Sequence, residues 1–244
     1  AITRLYEGTS YKPFEKTGFE TSGKSCITAK QRTFIEGIDF DLTYFPLKHL
    51  GYKCVTAVTG ELYADLSHPR TLEISLGISA KLDFSHIKEV WEGMVAAAKE
   101  HGYKTVGLDL LPSPNGLTVS ASAVGETSLL MAKRRLAAKS MDLICVSDNL
   151  GAAFMGFQVL EREKRAFQAS GDVKAQPKLD DYRNLVGAYL KPQINPQTVS
   201  LLEEAEIMPS HGYLVTRGLA DAVKRLVRDS GLGAKIYVDK LPFA

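Results

Sequence analysis

The chain has 244 residues, 45% of them hydrophobic, and 30 basic against 28 acidic residues leave a formal charge of +2. It is long and apolar enough to bury a substantial core in one or two domains, and the composition excludes a disordered or strongly nucleic-acid-steered polypeptide. The densest basic run, Lys133-Arg134-Arg135, carries no interleaved aromatics and reads as a solvated linker. Three cysteines, Cys26, Cys54 and Cys145, form neither a CxxC pair nor an even disulfide framework. Cys54 and Cys145 sit in apolar runs, where cysteine behaves as a small buried hydrophobe. No charged leader with an apolar stretch opens the chain, and no run approaches the roughly 18 apolar residues of a membrane span. The expectation is a soluble cytoplasmic protein with reduced thiols and neither nucleic-acid nor membrane partners.

Residues up to 40 are polar and broken by Gly8, Pro13, Gly18 and Gly23, which predicts a loop-rich arm before a strand at 25–28 or 33–38. The apolar, β-rich run 53–58 predicts a strand, and alternation of Leu72, Ile74, Leu76 and Ile78 predicts another with one buried face. The period then changes. Ile87, Val90, Trp91, Met94, Val95 and Ala98 recur at helical spacing over 84–101, with Asp83 or Ser85 as N-cap and Gly102 as the stop. Strands are predicted at 104–108 and 117–124, around the turn Pro112-Ser113-Pro114-Asn115-Gly116. Residues 125–142 read as a connection. Beyond it come a strand at 143–146, a helix over 150–167, a loop at 168–178, helices over 180–190 and 197–206, a strand at 213–216, a helix over 219–229 and a strand at 235–238. The expected fold class is α+β, with an α+β first domain and an α/β second domain.

Asp109 ends the run Thr105-Val106-Gly107-Leu108, a position from which carboxylates reach ligand crevices and which also suits a turn residue before Pro112. Glu61, after Val58-Thr59-Gly60, admits the same two readings. Asp148-Asn149-Leu150-Gly151 puts Asn149 at the start of a helix, either as part of an anion site or as an ordinary cap. Arg217, in Thr216-Arg217-Gly218-Leu219, adds a cation at another helix start, useful for phosphate or simply exposed. The five histidines show no zinc spacing. There is no G-x-S-x-G elbow, P-loop or strand-linked GxGxxG.

Taken in order, Phe34-Ile35-Glu36-Gly37-Ile38-Asp39-Phe40-Asp41-Leu42-Thr43-Tyr44-Phe45-Pro46, Leu50-Gly51-Tyr52-Lys53, Pro69-Arg70, Gly107-Leu108-Asp109, Asp142-Leu143-Ile144-Cys145-Val146 through Leu150-Gly151-Ala152-Ala153, and Gly218-Leu219 resemble the thiamine-monophosphate kinase family. That family shares a superfamily with aminoimidazole ribonucleotide synthase, selenophosphate synthetase and a hydrogenase-maturation protein. The resemblance implies a first domain over residues 1–128 whose strands join a partner's in a homodimeric β-barrel-like sheet. It also implies a shortened second domain over 129–244. It further implies ATP and several Mg²⁺ ions in the cleft between them, and a place in thiamine biosynthesis.

Against that pattern the metal ligands are depleted. The family's Gly-Asp-Asp loop falls on residues 17–24, which hold only Glu20 as an acid. By the same resemblance Arg32, Asn149 and Arg217 replace aspartates, Asp39 replaces a histidine, Glu61 replaces an aspartate with retention of charge, and Asp109 is retained. Mg²⁺ needs hard anionic oxygens, and a like-charge contact at about 4 Å costs roughly 4 kcal/mol at an effective dielectric near 20. The expectation is therefore a pseudoenzyme, impaired in Mg²⁺·ATP-dependent phosphoryl transfer. Asp109 and Glu61 are its residual metal ligands, and Asp109, Asn149, Arg32 and Arg217 line a phosphate- or nucleotide-binding cleft. The alternative is an active kinase with a reduced metal set. Arg32 and Arg217 either seat a phosphorylated small molecule or pair with Asp109 or Glu61.

Overall fold

A computed structural model describes residues 20–134, 137–170 and 179–243. The expected arm up to residue 19, Arg135 of the basic run and residues 171–178 of the expected loop lie outside the described residues. The sheet contains β1 (Glu20–Ser22), β2 (Ser25–Ile35), β3 (His68–Ile78), β4 (Thr105–Pro112) and β5 (Thr118–Ser128), in the order β1-β2-β5-β3-β4. All neighbours are antiparallel except β3 and β4. The candidate strand at 25–28 and residues 33–35 of the one at 33–38 belong to the single strand β2, which ends at Ile35 before a turn. Residues 125–128, expected in a connection, continue β5.

The run 53–58 is not a strand. It belongs to helix α1 (Leu47–Ala64), which is buried on most sides, so no polar face marks its helical period. Its β-branched residues fit because Thr56 and Thr59 donate their hydroxyls to the carbonyls of Tyr52 and Val55, at 2.9 and 2.7 Å. Helix α2 (Phe84–Glu100) matches its pattern, and Asp83 caps it by accepting from the Ser85 and His86 amides. The two helices meet at backbone distance. A Cβ on Gly51 would lie 2.0 Å from the Val90 carbonyl oxygen, and one on Gly93 would lie 1.8 Å from that of Lys48.

Together α1 and α2 cover one face of the sheet. Leu72, Ile74 and Leu76 of β3 and Val119, Ala121 and Ala123 of β5 are buried beneath them. The other face carries Thr33, Ser75, Ser120 and Ser122, none of them buried.

Residues 129–243 supply α3 (Leu129–Arg134), α4 (Ala152–Ser170), α5 (Arg183–Leu190) after a 3-10 turn, α6 (Thr198–Glu204) and α7 (Leu219–Ser230). The strands expected at 143–146, 213–216 and 235–238 do not form; among the described residues, this part of the chain has only an isolated bridge between Leu150 and Phe243. An apolar run becomes a strand only where a neighbour takes up its backbone hydrogen bonds. Leu143 is 89% exposed and Cys145, expected to be buried, is exposed as well. Val159, Leu160, Val186 and Leu190 nevertheless join the same core as α1 and α2. Among the described residues, no helix is long and apolar enough to cross a membrane.

Gly93→Ala is expected to lower the urea midpoint by the equivalent of about 1–3 kcal/mol, since the new methyl meets backbone rather than a movable side chain. A midpoint within error of the wild type would contradict that crossing geometry. A second expectation concerns acid. His101 is 4% exposed, its Nδ1 lies 3.1 Å from the Tyr63 hydroxyl, and its Nε2 is buried with no partner among the described residues. Burial pushes the ring's pKa below its ordinary value. The folded protein therefore binds fewer protons than the unfolded chain below about pH 6.5, so this stability is present above that pH and lost as pH falls towards the folded pKa. His101→Gln is expected to reduce the fall in urea midpoint between pH ~7.5 and ~5.5.

Candidate functional site

Residues 36–46 form a knot rather than an open ligand loop. The Glu36 carboxylate accepts the Leu117 amide at 2.6 Å, tying the end of β2 to the start of β5. Gly37 takes φ 80°, and the chain turns back so that Asp39 Oδ2 accepts the Ile35 amide at 2.9 Å. Asp41 accepts the Thr43 amide at 2.8 Å and pairs with Lys164 of α4. Burial would raise the Asp41 pKa, but the hydrogen bonds from Lys164 and Thr43 outweigh it and hold the carboxyl below its ordinary value. Tyr44 donates its hydroxyl to Glu161 at 2.9 Å, and Phe45 packs on Tyr189 with ring centroids 5.7 Å apart. Burial and then Glu161 raise the Tyr44 pKa. This segment joins the sheet to α4 and α5.

Behind the knot lies a charged cluster. Lys53 of α1 places its ammonium 3.6 Å from the Tyr189 ring centroid and 4.9 Å from that of Phe45. Burial pushes Lys53 down to about 8; Arg32 adds to the shift and Asp39 opposes it. Arg32, on the helix-covered side of β2, lies over the Phe34 ring at 5.2 Å.

Two turns along α1, burial raises the Glu61 pKa, Lys30, Arg225 and Arg32 pull it back, and Asp65 adds to the rise. Lys30 pairs with Asp65 at 2.6 Å. Arg225 comes from α7, where it forms an ion pair with Asp221, its Nε 3.2 Å from the carboxylate without a hydrogen bond, and the Leu214 carbonyl accepts from its Nη2 at 2.9 Å. Leu214 in turn fills the hole at Gly60, where a Cβ would lie 2.6 Å from Leu214 Cδ1. A glycine inside a helix costs roughly 1 kcal/mol relative to alanine. Here it makes room for the segment that delivers Arg225. Lys30, Arg32, Lys53 and Arg225 thus face Asp39, Glu61, Asp65 and Asp221, equal numbers of each sign.

The candidate residues do not all converge. Asp109 registers with Ser75, Ser75 with Ser120, and Ser120 with Thr33, whereas Arg32 registers with Ala121 and Ile74. Asp109 is therefore exposed on the uncovered face, three strand spacings or about 14 Å from β2, while Arg32 and Glu61 lie on the helix-covered side. Asn149 is exposed just before α4, its amide donating to its neighbour Asp148 at 2.6 Å. Arg217 is exposed immediately before Gly218, the N-cap of α7.

Within one chain, Asp109 and Glu61 do not fit a shared Mg²⁺. Among the described residues no three His, Cys, Asp or Glu side chains come together as ligands. Sequence reasoning missed Lys30, Lys53 and Arg225. Lys53 was visible within Gly51-Tyr52-Lys53, but nothing in the pattern linked Arg225 to Glu61.

Residues 18–127 match the protein family described as AIR synthase related protein, N-terminal domain. The thiamine-monophosphate kinase of Bacillus subtilis is 28% identical over 131 residues, 54% of this chain and 40% of that protein. The thiamine-monophosphate kinase of Synechococcus elongatus is 25% identical over 220 residues, 88% of this chain and 64% of that protein. The chain thus spans less than two thirds of either relative's length. A solved structure of AaThiL complexed with AMPPCP and TMP superposes with a TM-score of 0.76, covering 100% of this chain and 72% of that one at 21% identity. At that identity the likeness is one of fold.

Lys53 yields a test of the cluster. Its folded pKa lies below the ordinary 10.5, so the unfolded chain binds the extra proton and stability rises as pH climbs from about 8 towards 10.5. Lys53→Met is expected to flatten the rise in urea midpoint between pH ~8 and ~9.5 that the wild type shows. An unchanged slope would place Lys53 in solvent.

Proposed function

Because the chain belongs to the AIR synthase-related superfamily as a thiamine-monophosphate kinase-like member, we propose that it is impaired in Mg²⁺·ATP-dependent phosphoryl transfer. The observation that carries this reading is the placement of its acids. Glu61 lies on α1 with only cations, Lys30, Arg225 and Arg32, pulling its raised pKa back, and Asp109 lies on the other face of the sheet. Phosphoryl transfer is catalysed chiefly by positioning and by metal charge across the β- and γ-phosphates, so loss of the metal set removes the largest contribution. ATP and Mg²⁺ enter this reading only through the chain's relatives. The setting of Arg32, on the helix-covered side of β2 over the Phe34 ring, favours a structural cation over a phosphate seat.

The architecture belongs to the same proposal. Residues 1–128 form a dimerisation domain and 129–244 a second domain packed on it. The small polar residues Thr33, Ser75, Ser120 and Ser122 on the uncovered face of the sheet suit close approach by a second copy, which would enclose Asp109 in a barrel-like homodimer. Alternatively, an active kinase works with Glu61, Asp109 and Glu20 as a reduced metal set.

Purified protein is expected to form no thiamine diphosphate above background from thiamine monophosphate, ATP and Mg²⁺, and to bind ATP no more tightly with Mg²⁺ than without it. Robust Mg²⁺-dependent turnover would establish the active-kinase alternative. For the dimer, sedimentation velocity is expected to show a dimer that Ser75→Arg combined with Ser120→Arg converts to a folded monomer; a wild-type monomer would refute it.

A further inference from the structure

Two lysines of α1 are held in different ways. Lys48 pairs with Glu92 at 3.5 Å, whereas Lys53 has neither an ion pair nor a hydrogen bond among the described residues. What Lys53 meets is aromatic: its ammonium lies 3.6 Å from the Tyr189 ring centroid and 4.9 Å from that of Phe45. Phe157 packs on Tyr189 in turn, with centroids 5.4 Å apart, and Phe40 packs edge-on against Phe45 at 6.5 Å. The side chain is neither sealed nor free, so one approach to it stays open to solvent. Ring faces attract a cation, but they do not replace the water hydrogen bonds that its N–H groups give up. An amine stripped of water against an apolar wall, with no carboxylate to hold its proton, is the setting in which lysine becomes a nucleophile.

We propose that Lys53 is a nucleophilic amine that condenses with a small aldehyde or ketone, with the rings of Phe45 and Tyr189 as the wall against which the adduct lies. The nitrogen lone pair forms a C–N bond to the carbonyl carbon and gives a carbinolamine. One amine hydrogen and one solvent proton then leave with the carbonyl oxygen as water, and a protonated imine remains. The rings select this chemistry over acylation. A protonated imine is still a cation on the ring faces and carries fewer N–H groups in need of water, whereas an amide would forfeit the charge. The pKa of Lys53, pushed down to about 8 by burial, agrees with the geometry. The proposal goes beyond the impaired-kinase reading and does not depend on it.

The test is competitive labelling of the full chain with propanal and cyanoborohydride, which reduces each imine to a stable secondary amine, followed by peptide mass spectrometry. At pH ~7.5 an amine with a pKa near 8 has more than ~100 times the free-base fraction of an ordinary lysine. Crowding and lower basicity offset part of that advantage. Lys53 is therefore expected to label at least ~10-fold faster than the exposed Lys88 and Lys224. The ratio is expected to shrink as pH rises to ~9.5, because only the surface lysines still have protons to lose. Lys53→Arg should abolish the fast label and leave the others, which fixes its assignment. Labelling of Lys53 no faster than that of Lys88, or a ratio that stays constant with pH, overturns the proposal. Kinase assays bear on the impaired-kinase reading alone, so either statement can fail without the other.

Discussion

Partial burial of a carboxylate disfavours its charged form, and in this molecule Glu61 on α1 sets that constraint. Burial raises its pKa, and the cations whose charge opposes that rise come from distant parts of the chain: Lys30 and Arg32 from β2, and Arg225 from α7. Opposing charge at short range in a partly desolvated setting is worth several times its value in bulk water, and leaving one partner unpaired is costly. Beside Glu61, Leu214 fills the hole at Gly60 and Gly212 lies against the Ala64 carbonyl, so the segment that leads to α7 lies over this part of α1.

The most legible motif of the chain turns out to serve this arrangement. Residues 36–46 spend their carboxylates on backbone amides and on Lys164, and their aromatic rings on α5. The knot fixes Asp39 and Phe45 beside Lys53 and brings α4 and α5 against the sheet. In this chain the segment has a mechanical role that holds whether or not a nucleotide binds. Its side chains are satisfied within the protein.

Much of the first part could be read from the residues. Alternation found β3, and helical spacing with Asp83 as cap found α2, because each has one wet face. α1 was misread because its burial on most sides erases the period and its Val and Thr content imitates a strand. The expected strands in the second part failed for the opposite reason: their apolar runs are real, but pairing is a tertiary property and the described residues supply no neighbour. Arg32 was recognisable as a charge reversal by resemblance, and the structure places it on the helix-covered side of β2, over the Phe34 ring. Asp109 was placed on the right strand, but one residue of register decides its face, and sequence alone did not give that register. Arg225 was invisible because an i, i+4 pair with Asp221 looks like ordinary surface chemistry until the fold carries it to α1.

The account stands on Glu61 seating no metal ion. Paramagnetic Mn²⁺ reports metal proximity directly through line broadening, independently of catalysis and of stability. With the protein labelled at its glutamate side-chain carboxyl carbons and Glu61 assigned by its Gln variant, titration with Mn²⁺ is predicted to leave the Glu61 resonance as sharp as those of glutamates elsewhere in the chain. Selective broadening of Glu61 at low Mn²⁺ would show a metal seated there and contradict the account.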